Sequence, residues 1–291
     1  IDGNRSHTTL ALPGAKLRLP MHPKGRVYGL PLIGCHVGAD AAACLLAIGL
    51  SGEDRTIALM DIGTNTELVI GNSDRILATS CPAGPAFEGG ELSCGMPAVD
   101  GAVERVAIGE GGVPDLRVIG GGDAEGVCGS GLIDLLSELL RTDRMNAKGR
   151  FQDGSDHFSV HSPNRVSLTE KDISQLAQAK GANMAGLRIV LETFGIDAGD
   201  LDVFYLAGGF ARHIDLDAAM RIGLIPTLPA GRAVKVGNAS LEGATIALCS
   251  MSRRHELEKL VGRIEHVQLE NHPNFFDYFV DECQFAPVSS G

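Results

Sequence analysis

Residues 57–71 read IALMDIGTNTELVIG. Four apolar residues lead into Asp61-Ile62-Gly63-Thr64-Asn65, and a second apolar run begins at once. Two short aliphatic runs parted by Asp, Gly, Thr and Asn predict a pair of strands joined by a turn. A hairpin with no other task accounts for the stretch, because Asp and Gly are common turn residues. A phosphate-holding turn accounts for it equally well. Gly63 lets a ligand come close to the backbone. Thr64, Asn65 and Thr66 offer N–H and side-chain donors to phosphate oxygens. Asp61 suits Mg2+ held through water, since that ion prefers carboxylate, water and phosphate oxygens.

Outward from this stretch, the pattern alternates strands and helices. Residues 1–26 carry Pro, Gly and basic residues with weak patterning and suggest an extended lead-in. Residues 27–34, VYGLPLIG, suggest a buried strand, and residues 38–50 an Ala-rich helix ending near Gly49. Ile57–Asp61, Glu67–Gly71 and Arg75–Ser80 are three short strands spaced for an antiparallel meander. Residues 81–101 hold too many Gly and Pro for regular structure, and an irregular loop of ~20 residues in a compact domain is generally functional. Helices are expected at about 130–142 and 170–194, the latter with Thr169 as N-cap and Asp172 three residues on. LDVFYLAGGF predicts a buried strand ending in a glycine turn. AVKVGNASLEGATIALCS predicts a strand running into a small-residue helix. Residues 253–282 suggest a charged helix, a strand and a last helix.

The chain of 291 residues suits one large domain or two smaller ones. Its net charge of −11 argues against a general nucleic-acid binder, which needs clustered Lys and Arg to offset phosphates. The lack of Trp also leaves few stacking platforms for single strands. No run of ~18 apolar residues predicts a membrane span. The 7 cysteines form no C-x-x-C pair and are odd in number, which fits a reduced, cytoplasmic set. Cys81 and Cys94 flank one loop, yet no His or Cys partner lies at zinc-like spacing.

VGADAAACLLAIGLS begins at Val37 and VGNASLEGATIALCS at Val236. Similar segments roughly 200 residues apart point to a duplicated lobe rather than a solenoid, whose period is ~20–50 residues. Two unrelated Ala-rich helices are the plain alternative. Two further turns stand out. Leu206–Phe210, LAGGF, follows a buried strand, and Gly208 and Gly209 there let a ligand lie against the backbone; a tight turn is the plain account. In VCGSGL, Gly129 and Ser130 open a helix whose N-terminus can face an anion or a nucleoside, or simply start the helix. Gln178 and Lys180 sit on the long helix, where they can touch adenine or ribose or belong to a solvated face.

These pieces in this order resemble the superfamily of acetate and sugar kinases, actin and the ATP-driven chaperones. More closely, LMDIGTNTELVIG, AGPAFEGG, CGSGLIDLLSELL, QAKGA, YLAGGF and VGNASLEGA resemble the reductive activators of corrinoid proteins over roughly residues 27–285. The resemblance implies an α/β, actin-like (ribonuclease H-like) ATPase lobe with a mixed sheet flanked by helices, plus a remnant of the first lobe. Residues 1–56 would end the first lobe with its connecting helix, and 57–291 would form the second. It implies ATP and Mg2+ as ligands, and a corrinoid protein as partner, with self-association into a homodimer left open. A [2Fe–2S] cluster is expected only in an N-terminal domain absent from this sequence. The implied activity is ATP-driven return of Co(II) to Co(I). Asp61–Asn65 would be the second phosphate hairpin, with Thr66 beside it, and Leu206–Phe210, including Phe210, the adenosine turn. Asn238 would join them at the head of the second connecting helix. Asp40 would position water at the γ-phosphate, or cap the helix of residues 41–50. Glu88 is a candidate for partner or metal contact, or a solvated loop carboxylate.

The pattern departs from the full family in one respect. No second Asp-Ile-Gly-Thr run occurs in residues 1–56, so the chain reads as the C-terminal part of a longer protein. Three rivals remain on sequence alone: a small-molecule kinase of the same superfamily, a nucleotide-sensing module without turnover, and an activator of radical dehydratases. The last needs a cysteine pair for a cluster at a dimer interface, and none is evident.

Overall fold

The computed structural model describes residues 8–163, 165–209 and 211–288. In chain order the elements are β1 (Leu10–Pro13), β2 (Arg26–Gly29), α1 (Ala39–Ile48), β3 (Ile57–Asp61), β4 (Thr66–Gly71), β5 (Ile76–Cys81), β6 (Ala102–Ile108), β7 (Pro114–Val118), β8 (Gly126–Val127) and α2 (Gly129–Arg141). They continue with β9 (His157–His161), β10 (Val166–Thr169), α3 (Glu170–Phe194), β11 (Val203–Ala207), α4 (Leu216–Arg221), β12 (Ala233–Gly237), α5 (Ala239–Cys249), α6 (Met251–Val261), β13 (Ile264–His266) and α7 (Phe275–Glu282).

A mixed six-stranded sheet, ordered β12-β11-β3-β4-β5-β13, carries the fold. The middle strands β3, β4 and β5 are antiparallel, while β11 and β12 run parallel to β3 and β13 runs parallel to β5. Both faces are covered, which is why β3 reads as an unbroken apolar run. Ala58 and Met60 point into the core shared with α2 and α3, whereas Ile57 and Leu59 point into the core shared with α1 and α5. The α/β class expected from the sequence is the one observed.

The two Val-Gly helices of the sequence repeat, α1 and α5, lie together on one face of the sheet. Gly243 makes the crossing close: a Cβ there would stand 1.8 Å from the Ala43 carbonyl oxygen. On the opposite face α3 begins with the expected cap. Thr169 Oγ1 accepts from the Asp172 amide at 3.1 Å, and Asp172 Oδ2 accepts from the Thr169 amide at 3.0 Å.

Two expectations are corrected. Residues 27–34 are not a buried strand; only Arg26–Gly29 is extended, half-exposed and paired with β1 in a two-stranded hairpin. Pro31 cannot donate to a ladder, and among the described residues the hairpin has no third strand. Asp40 is not the N-cap of α1. Gly38 holds that position, and Asp40 lies in the first turn with its Oδ1 accepting from the Ala41 amide, where a negative charge suits the helix dipole.

Candidate functional site

Strands β3, β11 and β12 run parallel, so their carboxyl ends meet along one edge of the sheet. Asp61 pairs with Ala207, which in turn pairs with Gly237. The Ile62 amide donates to the Ala207 carbonyl and the Gly208 amide to the Gly237 carbonyl. Gly208 has φ +123°, and a Cβ there would lie 2.4 Å from the Ile62 carbonyl oxygen. Only glycine fits that approach. The Asp61 turn and the Gly208–Gly209 turn are thereby locked side by side. The crevice outside the carboxyl ends of parallel strands is where open α/β sheets bind ligands.

The tip of the β3–β4 turn is open. Among the described residues, the amides of Gly63, Thr64 and Asn65 donate to no other group. Three successive free N–H groups form a concavity suited to an anion. Asp61 sits at its base and points to the α1 side, with Glu67 opposite it across the strand pair. Cys44 Sγ donates to Asp61 Oδ2 at 3.2 Å. Cys44 lies one turn after Asp40 on α1, so the helix brings a thiol and a carboxylate to the strand carboxylates. Burial pushes the Asp61 carboxyl up, and the Asp40 charge adds to this against the Cys44 hydrogen bond. Burial, then Asp40 and Asp61, push Glu67 up to about 8. Burial likewise raises the Cys44 thiol. A carboxylate group under this mutual repulsion gains from a cation nearby. Among the described residues no set of three or more His, Cys, Asp or Glu is arranged as a metal cage. That donor chemistry fits Mg2+ held through water and phosphate oxygens. Cys81 and Cys94 are both buried.

A second part of the edge is a cavity of about 610 Å3 lined by Glu104, Arg117, Ile119, Cys128, Ser130, Gly209 and His213 among others. It lies between β7, the head of α2 and the turn after β11. The Ser130 hydroxyl donates to the Glu104 carbonyl at 3.1 Å. The glycine-rich start of α2 has a packing role as well, since a Cβ on Gly131 would lie 2.2 Å from the Val103 carbonyl oxygen. Arg212 brings its guanidinium beside Gly237, with Nε 3.3 Å from where a Cβ would be.

The structure brings together Asp61, Gly63, Thr64, Asn65, Gly208, Gly209 and Asn238 at one edge, with Asp40 over Asp61 and Ser130 beside Gly209. Asn238 caps α5, its Oδ1 accepting from the Leu241 amide. Gly129 starts α2 next to Ser130. Phe210 lies outside the described residues. Thr66 is apart: its buried hydroxyl has no partner among the described residues, and it lies in line with Leu68 and Ile70 on the α3 side. Gln178 and Lys180 are not brought to this edge. Gln178 donates to the Ser174 carbonyl of its own helix. Lys180 is not on a solvated face; it is 1% exposed, and its ammonium donates to the carbonyls of Glu282 and Gln284, both at 2.7 Å. Burial outweighs the Glu282 charge and lowers its pKa. Sequence reading missed Arg117, Arg212, His213 and Cys44, whose relevance comes only from tertiary neighbours.

A mixed six-stranded sheet, an open turn beside a glycine turn at the ends of its parallel strands, and two closely crossing helices define an ASKHA domain, the actin-like class of nucleotide-binding folds. Residues 55–290 match the family described as the C-terminal domain of RACo, the ASKHA domain, and the chain belongs to that family. It is 31% identical to the corrinoid activation enzyme RamQ of Eubacterium limosum, over 95% of this chain and 50% of that protein. It is 26% identical to the [Co(II) methylated amine-specific corrinoid protein] reductase of Methanosarcina barkeri, over 88% of this chain and 51% of that one. A solved structure of a reductive activator for corrinoid, iron-sulfur protein superposes with a TM-score of 0.88 and 34% identity, covering 97% of this chain and 48% of that one. The chain thus spans about half the length of the curated relatives it matches.

Proposed function

We propose that this chain is the ATP-binding and ATP-hydrolysing part of a reductive activator of a corrinoid protein. The observation that carries the nucleotide half of this reading is the open tip at Gly63–Asn65, whose free amides stand over Asp61 at the end of parallel strands. The family membership and the curated relatives support the corrinoid half. Residues 1–56 would close the first lobe and 57–291 form the second. In the parent protein, ATP hydrolysis would supply the free energy for one-electron reduction of Co(II) to Co(I) in the partner, and a [2Fe–2S] cluster held outside this chain would supply the electron.

The residues here divide that work. Amides of Gly63, Thr64 and Asn65 bind phosphate oxygens. Asp61 holds Mg2+ through water, and Asp40 orients the attacking water. Gly208 and Gly209 give the nucleoside a flat approach, with Gly129, Ser130 and Asn238 around it and Thr66 supporting the turn from behind. Gln178 and Lys180 have no part in this scheme. Closure of the lobes about α1 and α5 biases the equilibrium toward a partner-bound state. The setting is cytoplasmic, and no described helix is long and apolar enough to cross a membrane.

The test is an ATP titration of the full-length protein with and without Asp61→Asn, followed by absorbance of Co(II) in a corrinoid partner. The reading expects ATP-dependent loss of Co(II) that the variant abolishes. ATP-driven phosphorylation of a small metabolite instead would identify a kinase. Binding without turnover would identify a nucleotide-sensing module.

A further inference from the structure

We propose that Glu88 makes the phosphate turn selective for metal-complexed over metal-free nucleotide. This rests on the nucleotide reading above. The Glu88 side chain is exposed on the irregular loop after β5, but the backbone that carries it is anchored. Its short helical turn, Ala86–Glu88, buries Ala86 and Phe87 in the main core. The loop then closes on itself, with a Cβ on Gly95 falling 2.2 Å from the Gly89 carbonyl oxygen. Beyond that, the Ser93 amide donates to Asp172 Oδ1 at 2.8 Å, tying the loop to the head of α3.

From this base Glu88 reaches the turn that the proposed phosphates occupy. Glu88 Oε2 accepts from Thr64 Oγ1 at 2.6 Å. The Gly84 amide donates to the Thr64 carbonyl at 2.9 Å, so the same loop grips Thr64 from its backbone as well. Glu88 Oε1 has no hydrogen-bond partner among the described residues, and it lies 3.7 Å from the point where a Cβ on Gly63 would stand. A carboxylate tethered by one hydrogen bond, with its other oxygen free, is therefore set beside the three free amides of Gly63, Thr64 and Asn65.

The consequence is electrostatic. A bare triphosphate at those amides brings like charge against Glu88, and the two repel. A divalent cation on the phosphates reverses the sign of the interaction and gives the free oxygen a partner, directly or through water. At separations of a few ångströms near a protein surface, one charge moves binding by about tenfold or more.

The experiment measures the dissociation constants of the full-length protein for ATP in EDTA and for ATP in excess Mg2+, by calorimetry, for the native protein, Glu88→Gln and Glu88→Asp. Glu88→Gln is expected to bind metal-free ATP more tightly and to reduce the ratio of the two constants about tenfold. Glu88→Asp keeps the charge and retains most of the ratio. An unchanged ratio in Glu88→Gln, with ATP still bound, overturns this proposal alone and leaves Glu88 as a staple of the loop. Failure of every protein to bind ATP overturns the nucleotide reading with it.

Discussion

Glu67 shows how a single residue's setting is written by its neighbours. It sits across the strand pair from Asp61, within the field of Asp40. Burial first, then those two charges, lift its carboxyl to about 8. A folded-state value above the unfolded one makes ionisation a cost of folding: stability is intact below the usual carboxylate range and falls as pH rises toward 8. Glu67→Gln removes that cost. Without nucleotide, the variant should gain on the order of 1–3 kcal/mol over the native protein at pH 8.5, and little at pH 5. Urea denaturation at both pH values checks this, and an equal effect at both would count against a titrating Glu67. Asp61 itself was legible in the sequence because a strand, an acid and a glycine come in order. Glu67 was not, since a single Glu at the head of the apolar run TELVIG gives no sign of the carboxylates that α1 and β3 bring beside it. Lys180 misled for a related reason: a Lys on a helix reads as exposed until the C-terminal carbonyls that receive its ammonium are known.

Among the elements, α1 and α5 are joined by the absence of side chains more than by their presence. Gly243 lets α5 lie on the Ala43 backbone. Gly243→Ala should force the helices apart and cost roughly 1–3 kcal/mol, with a lowered melting temperature and weaker nucleotide binding together. A variant that melts earlier yet binds nucleotide unchanged would separate the crossing from the site. The helices and the central strands were legible because each buries a continuous or periodic apolar set. Thr169 and Asp172 marked the start of α3 through a capping pattern that needs no tertiary partner. The hairpins β1–β2 and β9–β10 escaped notice because their strands are short and half-exposed, leaving little hydrophobic alternation to read. The loop carrying Glu88 was legible as a functional length, but its hold on Thr64 depends on the packing of Phe87.

For the whole molecule, the site is a property of sheet order. Asp61, Gly208 and Asn238 stand at the ends of three adjacent strands, β3, β11 and β12. ATP with Mg2+ should therefore slow amide hydrogen exchange at the Gly63–Asn65 turn, the Gly208–Gly209 turn and the first turn of α5 as one group. Protection confined to one of these turns would argue against a shared site. The same strand order has a further consequence for the newborn chain. On the ribosome β3 finds β4 almost at once, but its other edge stays open until β11 emerges roughly 140 residues later. Through that interval Ile57–Met60, all apolar, present an unpaired strand edge of the kind that invites aggregation. The proposed nucleotide site forms only once β11 and β12 have joined the sheet, so a chain ended before β11 leaves that edge bare.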